Sequence, residues 1–152
     1  MKTLKTDPHI YLAVAALTLI LSRLGAFAAD HNANPSGSWS ISTLGTNGTT
    51  RTSEQTLKLK LNGNTLTGTL TYNSSPVVNG KVKKSEAPIT EAKLDGSDIS
   101  FNFTHPPAYG NGPNSSYSYH GTIIGDTIKG KLTTTWMDHT NTKTWEARRL
   151  KE

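Results

Sequence analysis

Residues with side chains capable of catalysis are scattered along this sequence of 152 residues. His105, Asp138 and His139 fall in segments predicted to be loops, where together they could supply three metal ligands. A metal site needs three or four converging ligands with supporting hydrogen bonds, and the spacing does not bring these three together. Glu91 and Asp138 would form a carboxylate pair for glycoside hydrolysis only if distant strands placed them side by side. We therefore expect no catalytic residue, no metal ion and no cofactor.

The aromatic side chains indicate binding more clearly than catalysis. Tyr72, Tyr117 and Trp136 lie near one end of their predicted strands, and Tyr109 lies in a loop rich in proline and glycine, HPPAYGNGPN. An aromatic ring on such a stiff loop could stack on a sugar or cover an apolar ligand, and it could equally fold inward as a plug. We predict that five residues hold a ligand: Tyr72, Phe103, Tyr109, Tyr117 and Trp136.

Core packing is an alternative role for several aromatic residues. Five of them share the apolar face of their strands, and their simplest role is in the core: Trp39, Phe101, Phe103, Tyr119 and Trp136. Phe103 and Trp136 therefore belong to both predictions.

The stretch 57–70, LKLKLNGNTLTGTL, shows which elements must position these side chains. Leucines alternate with lysines and then with threonines, which is typical of two strands with one apolar face each. Asn62-Gly63 between them predicts a two-residue type I′ turn, because both residues tolerate a positive φ. The same arrangement recurs around Asp95-Gly96 and Gly125-Asp126. The chain is therefore expected to be built from antiparallel hairpins.

Extended along the chain after the N-terminal segment, the alternation predicts an all-β fold without helices. Eight strands are expected, at Gly37–Leu44, 53–61, 64–72, 88–94, 97–104, Ser115–Ile124, Thr127–Trp136 and 143–150. The three tight turns alternate with four longer connections, which cover 45–52, 73–85, 105–114 and 137–142. In a simple meander this alternation places every tight turn at one end and every long loop at the other. It favours a single eight-stranded antiparallel up-and-down barrel over a Greek-key sandwich.

Three glycines lie on the apolar faces of the strands, namely Gly68, Gly121 and Gly130. Glycine weakens a strand, so its presence calls for a cause. The barrel could need strong coiling at these positions, or the missing side chains could leave interior space for a ligand. The sequence leaves both explanations open.

The N-terminal segment predicts export. Lys2 and Lys5 precede an apolar run at 10–21, and Ala26-Phe27-Ala28 is typical of a cleavage site. We predict a secretory signal peptide at 1–28, a linker at 29–36 and a barrel domain at 37–152. An uncleaved membrane anchor is the alternative. Since the chain has no cysteine, a secreted or periplasmic bacterial protein without disulfides is expected.

The formal net charge of +5 does not indicate nucleic-acid binding. The basic residues are scattered along exposed strand faces and are not interleaved with aromatic residues. Lysines in such positions keep strand faces and edges from associating.

The arrangement resembles the lipocalin-like (calycin) superfamily. Gly37-Ser38-Trp39 matches the G-x-W that opens the first strand in that superfamily, and the meander has long loops at the same connections. The resemblance implies that a basic residue near the chain end, Arg148 or Arg149, stacks on Trp39 at the closed end of the barrel.

The chain is also similar to small exported bacterial lipocalin-like domains of unknown role. The shared patterns lie at 57–69, 96–101, 119–130 and 145–148.

These observations favour a binding module for a small, partly apolar ligand held at the loop end of the barrel. A carbohydrate-binding or surface-adhesion module without an interior cavity, using exposed loop aromatics, is the alternative. The expected partner is a small hydrophobic molecule or a glycan. We expect no nucleic acid, no membrane span after cleavage, and a monomer.

Overall fold

The computed structural model of the chain describes residues 33–44, 50–78, 81–107 and 112–151. The predicted signal peptide and Tyr109 lie outside these residues. Within them the protein is all-β, an antiparallel and nearly closed up-and-down barrel without helices. Its strands are β1 (Gly37–Leu44), β2 (Thr50–Asn62), β3 (Thr65–Val78), β4 (Lys81–Pro88), β5 (Thr90–Asp95), β6 (Asp98–His105), β7 (Ser115–Ile124), β8 (Thr127–Trp136) and β9 (His139–Arg149).

The prediction of eight strands is wrong, because the described chain forms nine. Residues 73–85 were expected to be a long loop, yet residues 73–78 continue β3 and residues 81–85 form the first part of β4. Pro76 suggested a loop, but it lies between Ser74 and Val78, where the pairing with β4 is irregular. Proline is tolerated at such irregularities because its missing N–H costs no ladder hydrogen bond.

A chain segment that changes its pairing partner brings the barrel close to closure. β4 pairs with β3 as far as Pro88, and β5 pairs with β6 from Thr90 onward. Between them, Ile89 donates its N–H to the carbonyl oxygen of Gly68 over 3.0 Å. Glu91 just beyond has a φ of +51°, which is rare for a residue with a side chain. The sheet order is accordingly β4-β3-β2-β1-β9-β8-β7-β6-β5, with the bend at Ile89 joining its two edges.

The three predicted tight turns are present at one end of the barrel, the closed end. Only the first central residue of each has a positive φ, namely Gly63 (+56°), Gly96 (+59°) and Gly125 (+57°). This pattern is that of a type II′ turn. The predicted type I′ turn centred on Asn62-Gly63 is wrong by one residue, since Asn62 still pairs with Thr65.

A fourth tight turn lies at the opposite end, the open end. Residues 137–142 were predicted to be a loop, yet Trp136 pairs with His139 across Met137 and Asp138. Met137 is the one apolar residue of this segment, but threonine favours strands, and threonine hydroxyls pair across β8 and β9. Thr133 and Thr142 are linked by a hydrogen bond of 3.3 Å. The open end therefore carries fewer long loops than predicted.

The core fills the barrel with aliphatic and aromatic side chains. Tyr119 stacks on Phe101 with ring centroids 4.7 Å apart, and Trp145 meets Tyr119 edge-on at 5.1 Å. Trp39, Phe101, Phe103 and Tyr119 are buried as predicted, whereas Trp136 is 46% exposed. The prediction of a core role for Trp136 is wrong, because the strand carries it past the end of the barrel into a hairpin tip.

The interior glycines are sites of close approach. A Cβ atom on Gly130 would overlap the carbonyl oxygen of His120, and one on Gly121 would lie 3.1 Å from the Trp145 ring. A Cβ on Gly68 would lie 3.1 Å from the Ile89 side chain. Close packing explains the three glycines, because a Cβ atom on any of them would meet its nearest neighbours at 3.1 Å or less.

Candidate binding site at the open end

Alternation along the strands selects the side chains that line the open end. Leu57, Leu132 and Trp145 are buried, so the residues two positions nearer the open end face the same way. These residues are Gln55, Thr134 and Lys143. The strands therefore replace apolar side chains by polar ones as they leave the core.

A cavity of about 320 Å³ lies at this point. Its lining residues are Thr43, Gln55, Tyr117, Tyr119, Leu132, Thr134, Asn141 and Lys143. Tyr117, Tyr119 and Leu132 supply its apolar side, and the others supply hydroxyl, amide and ammonium groups. Among the described residues that line it, Lys143 alone is charged. The cavity therefore matches a small molecule with an apolar body and a polar or anionic group.

The two tyrosines of the cavity stay neutral over a wide pH range. Burial raises the pKa of Tyr119, and the nearby Tyr117 raises it further. Burial also raises the pKa of Tyr117, although a hydrogen bond with Ser115 partly offsets the effect. Neutral phenols can donate a hydrogen bond and present an apolar ring face.

Three of the five predicted site residues meet in one aromatic group. The rings of Tyr72 and Phe103 lie 5.2 Å apart, and those of Phe103 and Tyr117 lie 5.8 Å apart. His105 joins this group, 4.6 Å from the Tyr72 ring. Tyr117 lines the open-end cavity, whereas Tyr72 and Phe103 are buried and are not among its lining residues.

The other two predicted residues are not part of this group. Trp136 is exposed beside Met137 at the hairpin tip, where Met137 has a φ of +50°. Tyr109 lies outside the described residues.

The polar lining residues of the cavity were missed by the sequence analysis. Thr43, Gln55, Thr134, Asn141 and Lys143 follow the inward alternation of their strands, which was the available signal. They were overlooked because only aromatic residues were selected as ligand contacts, although four of the five lie within strands that the sequence predicted. In the case of Asn141, the strand itself was predicted to start two residues later.

Nothing in the described ranges resembles a metal site. No group of three or more histidine, aspartate and glutamate side chains in these ranges could hold an ion. In the same part of the chain, no helix is long and apolar enough to cross a membrane.

Comparisons with known proteins add no relative. No protein-family model matches the chain, and neither a curated protein nor a solved structure matches it. The class of protein that the geometry defines is therefore a nearly closed antiparallel β-barrel with a small polar-rimmed cavity at one end.

Proposed function

We propose that the protein is a secreted or periplasmic lipocalin-like binding module that holds a small, partly apolar molecule at the open end of its barrel. The observation that carries the proposal is the cavity of about 320 Å³, with tyrosine and leucine on one side and a polar rim containing Lys143. Pockets of this kind hold small ligands through apolar contact and a few placed polar groups.

The lipocalin-like assignment is supported by the closed end of the barrel. Trp39 opens β1 within a G-x-W sequence, and the Arg149 guanidinium lies 4.1 Å from its ring centroid. The resemblance implied this stacking. Export is supported by the basic residues, apolar run and A-x-A sequence that precede the barrel.

The binding proposal is tested by filling the cavity. Thr134→Trp places a large ring in the open end, whereas Thr133→Trp places the same ring on the outer face of the same strand. The probe is anilinonaphthalene sulfonate, an apolar anion, and its fluorescence is titrated against the protein at constant salt. We expect wild type and Thr133→Trp to bind alike, and Thr134→Trp to bind at least about tenfold more weakly, or 1.4 kcal/mol.

Two outcomes would overturn the proposal. One is a wild-type protein that does not bind the probe, and the other is equal binding by both tryptophan variants. If the proposal stands, native mass spectrometry of protein purified from its own host identifies the natural ligand. A small molecule held in the cavity should co-purify with wild type and not with Thr134→Trp.

A carbohydrate-binding or adhesion module is the alternative function. Its support is the aromatic Tyr109 in a proline-rich loop and the exposed Trp136 at the hairpin tip. Retention on an insoluble polysaccharide column that is lost in Tyr109→Ala and kept in Thr134→Trp would favour it over cavity binding.

A further inference from the structure

The Tyr119 hydroxyl belongs to a buried side chain and has no hydrogen-bond partner among the described residues. Tyr119 is 1% exposed, and its ring stacks on Phe101 and meets Trp145 edge-on. Burial and the neighbouring Tyr117 raise its pKa, and no hydrogen bond within the described ranges contributes to the shift. Because a buried tyrosine hydroxyl usually has a hydrogen-bond partner, this one calls for an explanation.

The hydroxyl opens into the cavity of about 320 Å³ at the open end, which Tyr119 helps to line. In the described part of the chain, no side-chain nitrogen or oxygen is both fully enclosed and without a partner, so the Tyr119 oxygen reaches accessible space. The cavity is that space, because the faces of the ring are packed against Phe101 and Trp145. The neutral phenol therefore presents a hydrogen-bond donor to a ligand in the cavity.

The strand register places Lys143 across the floor of the cavity from Tyr119. Leu132 pairs with Tyr119 on β7 and with Lys143 on β9, and all three residues follow the inward alternation of their strands. Neighbouring side chains in such a row are about 5 Å apart, so the tyrosine and the long lysine side chain can both reach the space above Leu132. Leu132 is buried and forms an apolar floor. A phenol and an ammonium group, both hydrogen-bond donors, therefore flank this floor.

The charge of the cavity is positive, as far as its lining residues are described. Lys143 forms no ion pair within the described ranges, and no carboxylate is among the lining residues described. Thr134 and Asn141 pair with each other two residues nearer the open end and add a hydroxyl and an amide. One cation with neutral donors around it suits a single negative charge. A carboxylate has two oxygens that can accept from the ammonium group and from the phenol.

The packed core below the floor limits the apolar part of a ligand. Leu132, Tyr119 and Trp145 are each at most 5% exposed, so core side chains fill the described barrel beneath the cavity. A long alkyl chain would need that space. A single ring can instead lie against the half-buried Tyr117, whose own ring is tilted against Phe103. Aromatic rings pair favourably in offset and tilted arrangements.

We propose that the open-end cavity selects small aromatic monocarboxylates over neutral aromatic compounds and over long-chain fatty acids. The carboxylate lies above Leu132 and accepts hydrogen bonds from the Tyr119 hydroxyl and the Lys143 ammonium group. The ring packs on Tyr117. This ligand class rests on the proposed function, since it concerns the same cavity.

The ligand class is tested on the wild-type protein with three probes. Phenylacetate carries both the acid and the ring, phenylacetamide replaces the acid by a neutral amide, and dodecanoate replaces the ring by a long chain. Each probe is titrated as a competitor of anilinonaphthalene sulfonate at neutral pH and constant salt, with dodecanoate kept below its micelle concentration. We expect phenylacetate to bind at least about tenfold more tightly than either of the other two.

The two donors are tested with Lys143→Gln and Tyr119→Phe. Each variant should bind phenylacetate about fivefold to tenfold more weakly than wild type, because a hydrogen bond to a charged group is lost. Phenylacetamide binding should change by less than about twofold. Lys131→Gln is the matched control for Lys143→Gln, because it removes the same charge from an exposed residue on the outer face of β8, and it should bind like wild type. Urea denaturation at neutral pH checks that Tyr119→Phe is folded.

The outcomes separate the ligand class from cavity binding itself. If wild type binds anilinonaphthalene sulfonate but binds phenylacetate no more tightly than phenylacetamide or dodecanoate, the ligand class is wrong and the proposed function stands. Equal weakening by Lys143→Gln and Lys131→Gln, or no weakening by Lys143→Gln, would also overturn the ligand class. If wild type binds none of the four compounds, the proposed function fails and the ligand class fails with it.

Discussion

The guanidinium carbon of Arg149 lies 4.1 Å from the centroid of the Trp39 ring, and the same side chain joins three separate segments at the closed end of the barrel. Its Nε donates to Asp126 Oδ1 over 2.9 Å, and its Nη atoms donate to the carbonyl oxygens of Ser36 and Asn34 over 2.5 and 2.7 Å. Trp39 Nε1 donates to the carbonyl oxygen of Pro35 over 2.9 Å. Residues 33–36 therefore lie across the closed end as a packed segment.

Arg149→Lys should destabilise the protein markedly, although it keeps the charge. Lysine cannot reproduce the planar fork that bonds to three acceptors while stacking on an indole. We expect a loss of about 1–3 kcal/mol in the free energy of unfolding, measured by urea denaturation. Arg148→Lys is the control, since the Arg148 side chain is exposed and, among the described residues, bonds only to Glu146. It should change stability by less than about 0.5 kcal/mol. Equal effects of the two substitutions would contradict this assignment.

Gly130→Ala should be among the most damaging small substitutions in the barrel. Its Cβ would overlap the carbonyl oxygen of His120, which also accepts a hydrogen bond of 3.0 Å from Trp145 Nε1. Backbone displacement there should cost more than about 3 kcal/mol. Thr133→Ala, on the outer face of the same strand, is the matched control.

If Gly130→Ala does not fold, Trp145→Phe tests the same contact with a smaller change. It should cost about 1–3 kcal/mol in the free energy of unfolding, because a hydrogen bond and ring volume are lost. An unchanged free energy of unfolding in Trp145→Phe would show that this packing contributes little to stability.

Met137→Gly should stabilise the hairpin between β8 and β9. Met137 has a φ of +50° and is 57% exposed, so glycine relieves backbone strain while removing little buried surface. We expect a gain of about 0.5–1 kcal/mol, read from thermal unfolding. Asp138→Gly, at the next turn position, should be neutral or slightly destabilising. A loss of stability in Met137→Gly would mean that the methionine side chain makes a contact that outweighs the strain.

Stability should fall as the pH rises above the ordinary tyrosine pKa of about 10. Burial raises the pKa of Tyr119, and to a lesser extent that of Tyr117, so the folded protein keeps protons that the unfolded chain loses. The free energy of unfolding should therefore decrease with pH, by up to about 1.4 kcal/mol per pH unit for each such tyrosine. Tyr119→Phe should reduce this slope, as measured by urea denaturation at several alkaline pH values. An unchanged slope in Tyr119→Phe would place the alkaline instability elsewhere.

The order of the strands was largely predictable because it depends on local patterns. Alternating apolar and polar residues define β2, β3, β7 and β8, and glycines with positive φ mark three turns. Which two residues form the centre of a turn was harder to predict from the sequence. Asn62-Gly63 and Gly63-Asn64 are both reasonable turn centres by composition, and only the pairing of Asn62 with Thr65 decides between them.

The strand count and the loops of the open end were not predictable from alternation alone. β4 contains few large apolar residues and is held in the sheet by pairing with β3. The beginning of β9 is held by threonine pairs with β8. Pairing energy of this kind depends on a partner strand distant in sequence, which a local pattern does not report.

For the candidate site, the sequence determined that aromatic side chains would gather near one end of a barrel, since strand alternation sets which way each side chain points. Tertiary structure decided which of them meet. It brought Tyr72, Phe103 and Tyr117 together and left Trp136 exposed, because β8 extends beyond the barrel wall. The tertiary structure also decided that Arg149, and not Arg148, is the partner of Trp39, because the register between β9 and β1 places Arg149 opposite Trp39. The physical reason is that the side of the sheet on which a side chain lies is set by local alternation along its own strand. Which side chains touch each other depends on the register between strands that are distant in sequence.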